Sequence, residues 1–164
     1  MICLLLLFKE YLNIVNALPQ VSISRVEQDS LTYNTAFMKF AEGDYGVAKT
    51  TFQQYLSNFK GGIFSLDANY YLAESCVKLK DTTCAIRNFD FVVKANQKNL
   101  EAANLYLARY YFTLNDFEKS NNYYQNIEKI ATNNSLKREA VIRLMIGFET
   151  GENEQSLNSV IYAN

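Results

Sequence analysis

Apolar residues recur three and four positions apart along most of this chain, which is the spacing of one buried face on an α-helix. One stripe runs from Tyr33 to Phe40, and a polar turn at Gly43-Asp44 separates it from a second stripe that contains Phe52. The same order of stripe, turn and stripe returns three more times. We therefore predict helix pairs whose first helices cover 29–42, 65–79, 101–114 and 136–149, and whose second helices cover 45–58, 82–96, 117–130 and 153–163.

A small residue lies near the start of every second helix, and a large or branched apolar residue follows four positions later. The small residues are 37, 35 and 36 positions apart and are Ala48, Ala85, Ser120 and Ser156. A small residue lets the two helices of a pair approach closely, and the larger side chain fills the space toward the next pair. One pair cannot bury its apolar face alone, so we predict an all-α stack, an α-solenoid. Asp29 and Ser65 are predicted N-caps, and Gly61-Gly62 a break between pairs.

The first residues also have one apolar helical face, formed by Leu4, Leu7, Phe8, Tyr11, Leu12 and Val15. A signal peptide is the alternative, but no basic residue precedes the apolar run, and Lys9 and Glu10 interrupt it. We favour a helix that is the second helix of a truncated repeat. The predicted organisation is therefore a half-repeat at 1–16, an irregular linker at 17–28 and helix pairs at 29–60, 61–97, 98–131 and 132–164.

The composition excludes several kinds of site. Hydrophobic residues make up 49% of the chain, which is enough for a core, and no histidine is present. Without histidine there is no Ser-His-Asp triad and no imidazole metal ligand. A formal charge of -1 gives no support for nucleic-acid binding, and the apolar runs are shorter than the ~20 residues of a membrane span. No phosphate-binding loop or metal-ligand spacing is found, so no metal or cofactor is expected.

The three cysteines, Cys3, Cys76 and Cys84, do not have the spacing of a zinc site. We expect Cys76 and Cys84 to be small buried apolar residues. The alternative is a disulfide between them across a helix turn, which requires Cα atoms within roughly 7 Å.

The chain resembles the tetratricopeptide repeat family, whose period is 34 residues. The resemblance is carried by small residues in the first helices, by the Gly43-Asp44-Tyr45 turn, and by aromatic residues in the second helices, namely Phe52, Phe89 and Tyr124. The proline that usually closes the second helix is absent, and Asn69 and Asn104 lie near the place of the usual Trp. The resemblance implies a right-handed α-solenoid. The chain is also similar to tetratricopeptide arrays of Bacteroidetes cell-envelope proteins, which implies a bacterial protein of the cell envelope or periplasm.

The resemblance implies a non-enzymatic scaffold that binds a peptide or helix of a partner protein in a concave groove. By the family's geometry, side chains of the first helices line that groove, namely Tyr33, Phe37, Tyr70, Glu74, Lys78, Arg109, Phe112 and Met145. For each of them, packing between repeats is the alternative role. Neither nucleic acid nor a membrane span is expected, and self-association through the incomplete terminal repeats is a further expectation.

Two other functions are kept as alternatives. The chain could be a helical subdomain of an outer-membrane nutrient-binding lipoprotein, since such proteins contain similar repeats. It could also be an enzyme that uses paired carboxylates, with Asp67 and Glu74 or Asp81 and Asp90 as the candidate pairs. We favour the scaffold, because charged residues at such places are usually solvated.

Overall fold

The computed structural model describes residues 24–95 and 100–162, with side chains up to Gly151. This part of the chain is all-helical and contains seven helices: α1 Arg25–Ala41, α2 Tyr45–Asn58, α3 Ser65–Lys78, α4 Thr82–Ala95, α5 Leu100–Thr113, α6 Phe117–Ile130 and α7 Asn134–Tyr162. The half-repeat predicted at 1–16 lies outside the described residues. None of the helices described is both long enough and apolar enough to cross a membrane.

The helices form a stack of two layers. Each helix packs against the next one along the chain, and α1 also contacts α3. Ion pairs and hydrogen bonds join alternate helices, as Arg109 of α5 does with Glu139 of α7 and Tyr123 of α6 with Asp90 of α4. We call the side formed by α1, α3, α5 and α7 the helix-A face. The predicted all-α stack of helix repeats is confirmed.

The turns within the first three pairs share one backbone design. A residue with positive φ ends the first helix of each pair, at Gly43, Lys80 and Asn115, where φ is 81°, 59° and 56°. An aspartate follows directly, and its carboxylate accepts a hydrogen bond from the backbone N–H three residues later, as in the 3.2 Å bond from Val47 to Asp44. This side chain satisfies a donor that the first turn of a helix leaves unpaired. The repeated turn explains why these helices begin and end close to the predicted positions.

The fourth predicted turn does not form. A single helix of 29 residues, α7, runs through Gly151, where we predicted a break between helices at 136–149 and 153–163. The first three turns place aspartate after the residue with positive φ, whereas Gly151 is followed by Glu152. Glutamate favours the helix interior, and its longer side chain is a poorer N-cap than that of aspartate. The sequence of this fourth turn therefore allows α7 to continue.

Both predicted N-caps are wrong. Helix α1 begins four residues before Asp29, and Ser24 caps it in a capping box with Glu27, with hydrogen bonds of 2.8 and 3.3 Å. The predicted linker at 17–28 therefore ends in a helix. Ser65 is the first residue of α3, and the capping position before it is Phe64, which makes no side-chain capping hydrogen bond.

Asp29 instead joins the first two helix pairs from inside the protein. Its carboxylate accepts a buried 2.7 Å hydrogen bond from the Tyr55 hydroxyl, whose oxygen accepts a 3.1 Å bond from the N–H of Phe64. Burial and the bond to Asp29 raise the pKa of Tyr55 to about 12. The backbone of Gly62 passes so close that a Cβ there would lie 2.6 Å from the Tyr55 hydroxyl oxygen. The predicted break at Gly61-Gly62 is thus also a tightly packed joint.

The core is distributed along the stack. The small residues Ala48, Ala85 and Ser120 have no exposed surface, and Phe52, Phe89 and Tyr124 are at most 1% exposed. Apart from Ser120, these side chains belong to two successive clusters, one over α1–α5 and one over α5–α7. Burying each large side chain contributes roughly 1.5–3 kcal/mol before strain. The predicted alternation of small and large residues is confirmed for the first three pairs.

The two cysteines of the second pair are bonded to each other. A disulfide joins Cys76 at the end of α3 to Cys84 at the start of α4, with 5.8 Å between the Cα atoms. The expectation that they are separate buried thiols is therefore wrong, and the alternative is correct. Both residues remain in the core, where Cys84 is 7% exposed and Cys76 is fully buried.

Candidate partner-binding face

The predicted groove residues of α1 differ in accessibility. Tyr33 is only 8% exposed, and its ring stacks on that of Phe64 with 4.4 Å between centroids. Its ring is thus part of the core between the first two pairs, with little surface left for a partner. Phe37 is 36% exposed, and its ring meets the edge of Tyr71 of α3 at 4.9 Å. Phe37 therefore both packs between helices and presents apolar surface.

A cavity of about 480 Å³ opens between α3 and α5 on the helix-A face. From α3, Glu74 lines the cavity. The other lining residues come from one side of α5, namely Ala102, Leu105, Tyr106, Arg109, Tyr110 and Thr113. These six residues lie on one face of α5, because each of them is three or four positions away from at least one of the others. The structure thus brings together Glu74 and Arg109, two of the predicted groove residues. Its lining is mainly apolar and aromatic.

Burial governs the electrostatics of Glu74. Burial raises the pKa of the Glu74 carboxyl above its ordinary value of 4.5, and the charge of Lys78 and the hydroxyl of Tyr70 offset part of this effect. Lys78 lies one helical turn further along α3 and is exposed. Tyr70 is half-buried, and its ring meets the edge of Phe89 at 6.0 Å. The predicted residues Tyr70, Glu74 and Lys78 therefore form a continuous row on α3.

Arg109 is bound by a glutamate of the next pair. Its Nε and Nη2 atoms donate to the two carboxylate oxygens of Glu139 at 2.9 and 2.7 Å. This fork lowers the pKa of Glu139 and raises that of Arg109. The Arg109 side chain is still 56% exposed, so it reaches the cavity and solvent while its charge is matched. Arg109 thus has the packing role that was the alternative to partner binding, without losing its accessible surface.

Phe112 lies at the joint between α5 and α7, and Met145 lies on α7 itself. Phe112 is half-buried, and the guanidinium of Arg143 lies 4.6 Å from the centre of its ring. Met145 is 59% exposed. It belongs to a group of exposed apolar side chains on α7, namely Val141, Ile142, Met145, Ile146 and Phe148. Helix α7 therefore presents several apolar side chains to solvent.

Two tyrosines of the cavity were missed by the sequence analysis. Tyr106 and Tyr110 both line it, and burial together with Tyr110 and Glu74 raises the pKa of Tyr106. The Tyr106 ring packs against Phe89 of α4, with 4.9 Å between centroids. The helical period could have found both, because Tyr106 lies three positions before Arg109 and Tyr110 lies four positions after Tyr106.

The candidate catalytic pair Asp81 and Asp90 has other partners. Asp81 pairs with Lys49 at 2.6 Å, and Asp90 pairs with Lys94 at 2.6 Å. Asp81 also lies beside the sulfur atoms of Cys76 and Cys84, which is a spacing that can hold a metal ion. These sulfur atoms are bonded to each other and offer no thiolate ligand. Among the described residues, Asp81 and Asp90 thus act in ion pairs that join or brace helices.

No protein-family model matches this chain, and a search of curated proteins gives no match. What the chain binds is therefore inferred from its own side chains.

Proposed function

We propose that this chain is a non-enzymatic scaffold that binds an extended or helical segment of a partner protein along the helix-A face. The observation that carries the proposal is the open cavity of about 480 Å³ between α3 and α5. Its tyrosines and Arg109 are of the residue types that dominate binding energy at protein interfaces. Stacked helix pairs present such surfaces in a row, which suits a partner segment that is long rather than compact.

The arrangement of charges supports a binding role over catalysis. The acids Asp81, Asp90 and Glu139 each form an ion pair with a lysine or an arginine. General acid–base catalysis requires a group that is free to exchange its proton with the substrate. Acids held in ion pairs are poorly placed for that work, whereas such pairs stiffen a surface on which a partner can dock.

The disulfide supports a location outside the cytosol. Disulfides persist in oxidising compartments such as the bacterial periplasm and are rare in the cytosol. The Cys76–Cys84 bond lies within the second helix pair, where both cysteines are buried. We propose a tetratricopeptide-like scaffold of the bacterial cell envelope, and a helical subdomain of a nutrient-binding lipoprotein would share the same location.

A second copy of this chain is a further candidate partner. The exposed apolar side chains of α7 favour it, because contiguous exposed apolar surface often marks an interface. Sedimentation equilibrium tests this directly. Wild-type protein is expected to associate at micromolar concentration and Ile142→Glu to remain monomeric, whereas a monomeric wild-type protein would contradict self-association.

A charge swap across the Arg109–Glu139 pair tests the scaffold proposal. Arg109→Glu places two acids side by side, and Glu139→Arg places two bases side by side, so each alone disturbs the joint of α5 and α7. The double variant restores an ion pair with its charges exchanged. We expect the double variant to melt like the wild-type protein but to capture the native partner from cell-envelope extract at least about tenfold more weakly.

The two readouts separate the roles of Arg109. If the double variant recovers both stability and partner capture, Arg109 acts only within the stack and does not contact the partner. Phe37→Ala is the second variant, and it is expected to weaken capture because Phe37 lies on the same face and is 36% exposed. Unchanged capture by both variants would overturn the proposal.

A further inference from the structure

The cavity between α3 and α5 contains an acid whose stabilising partners, Lys78 and the hydroxyl of Tyr70, both lie on its own helix. Glu74 is the one acidic residue among the residues that line it. Burial raises the pKa of its carboxyl. The cation that acts on it, Lys78, is on the same helix and exposed to water, where its charge is screened. The carboxylate is therefore short of positive charge on its cavity side.

The other charged residue of the cavity does not supply that charge. Arg109 directs two donor nitrogens at both carboxylate oxygens of Glu139, at 2.9 and 2.7 Å. A bidentate pair of this kind matches the guanidinium charge with one acid. An anionic ligand would be repelled by Glu74 and would find no unpaired base in the cavity to attract it. The charge of the cavity therefore favours a cation.

The rest of the lining suits the same kind of ligand. Tyr106 and Tyr110 line the cavity beside Glu74, and the face of an aromatic ring attracts ammonium and guanidinium groups. Leu105 supplies apolar surface for an alkyl chain. Lysine and arginine side chains have that composition, with an apolar stem and a charged head. A volume of about 480 Å³ is within the usual range of ligand pockets, so the cavity can hold a whole side chain.

We infer that this cavity is a pocket for one basic side chain, a lysine or an arginine, of the segment bound on the helix-A face. The basic head pairs with the Glu74 carboxylate between the tyrosines, and the stem lies against Leu105. The inference rests on the proposed scaffold function and adds the chemistry that selects the partner.

Amino-acid fragments test the pocket without the partner. The probes are the N-acetyl methylamides of lysine and arginine, with those of norleucine and glutamate as controls, titrated into isotope-labelled protein and followed by two-dimensional NMR. We expect the two basic fragments to bind at least about tenfold more tightly than norleucine and to shift amide signals of α3 and α5. Glutamate should produce no such shifts.

Variants assign the effect to the carboxylate. Glu74→Gln keeps the shape of the side chain and removes its charge, and we expect it to weaken lysine binding about tenfold. Glu74→Met is the second variant should Gln lose the dispersed spectrum of a folded protein. Glu149→Gln changes an exposed acid of α7 and should leave lysine binding as in the wild-type protein.

Specific results would overturn the pocket. Norleucine that binds as tightly as lysine, lysine binding that survives both Glu74 variants, or shifts confined to other helices would each contradict it. If the fragments fail while the charge-swapped double variant still loses the partner, only the basic pocket is wrong. If the fragments bind but no partner is captured on this face, the scaffold proposal is wrong.

Discussion

Single residues at the joints between pairs set how closely the helices approach. At the first joint the Tyr55 hydroxyl donates to Asp29 at 2.7 Å and accepts from the N–H of Phe64 at 3.1 Å. The backbone of Gly62 fills the remaining space, since a Cβ there would lie 2.8 Å from an Asp29 oxygen and 3.0 Å from the Cβ of Phe59. A buried hydrogen bond of this kind is costly to break, because each group would lose its partner without regaining water.

Gly62→Ala should therefore destabilise the protein. The added methyl group displaces the Tyr55 hydroxyl or the Asp29 carboxylate, and such overpacking costs about 1–3 kcal/mol. The measurement is the free energy of unfolding in urea. Gly46→Ala is the matched control, because Gly46 lies in the first turn of α2 and its nearest neighbour to a new Cβ is 3.9 Å away. Equal stability of the two variants would show that the joint is not closely packed.

At the scale of the helices, the turn within each pair decides whether two helices or one is formed. The second turn is bonded both within itself and to the first pair. Asp81 accepts from the N–H of Cys84 at 3.1 Å, pairs with Lys49 of α2 at 2.6 Å, and lies within the loop closed by the Cys76–Cys84 disulfide. The hydrogen-bonded ion pair with Lys49 and the hydrogen bond from the N–H of Cys84 lower the pKa of Asp81. This turn thus links the first pair to the second.

The disulfide should stabilise the second pair measurably. Closing a loop with a sequence separation of 8 restricts the unfolded chain, and the loop-entropy relation gives about 2–3 kcal/mol. We expect the Cys76→Ser, Cys84→Ser double variant to lose about that much free energy of unfolding. Wild-type protein unfolded without reductant should take up one equivalent of iodoacetamide, at Cys3, and three after reduction. Three equivalents without reductant would contradict the bond.

The length of α7 can be measured directly. Spin labels at positions 138 and 159, in a Cys3→Ser background, are separated by 21 residues, which is about 32 Å along a continuous helix at 1.5 Å per residue. A helix pair with a turn at Gly151 would bring them to about 10–15 Å, the distance between packed helices plus their offset. We expect a pulsed electron resonance distance near the larger value. A narrow peak at the shorter distance would restore the fourth helix pair.

At the scale of the whole molecule, the stack and its distributed core could be predicted from the sequence. The spacing of Ala48 to Phe52 and of Ala85 to Phe89 follows from the period of a helix, which the sequence carries directly. The first three turns were also predictable, because their polar residues interrupt the apolar stripes. The fourth was not, because whether Gly151-Glu152 breaks a helix depends on capping geometry that the apolar stripes do not report.

The candidate face was only partly predictable, for a physical reason. A stripe shows that one side of a helix is apolar, but not which neighbour covers each residue. Tyr33 is covered by Phe64 of the next pair. Asp29 is buried in a hydrogen bond with Tyr55, a residue 26 positions away. Tyr110 is next to the predicted position Arg109, Tyr106 lies three positions before it, and both line the cavity. Contacts between pairs thus decide which stripe residues are left for a partner.

The most direct test of the central claim is photo-crosslinking from the two layers of the stack in cells of the native host. Benzoylphenylalanine replaces Tyr110 or Thr113 at the cavity, and Gln54 of α2 or Asn122 of α6 as exposed controls on the other layer. We expect both cavity positions to crosslink to the same segment of one protein. The control positions should give no crosslink to that segment. Equal yields of that segment from both layers would contradict binding on the helix-A face.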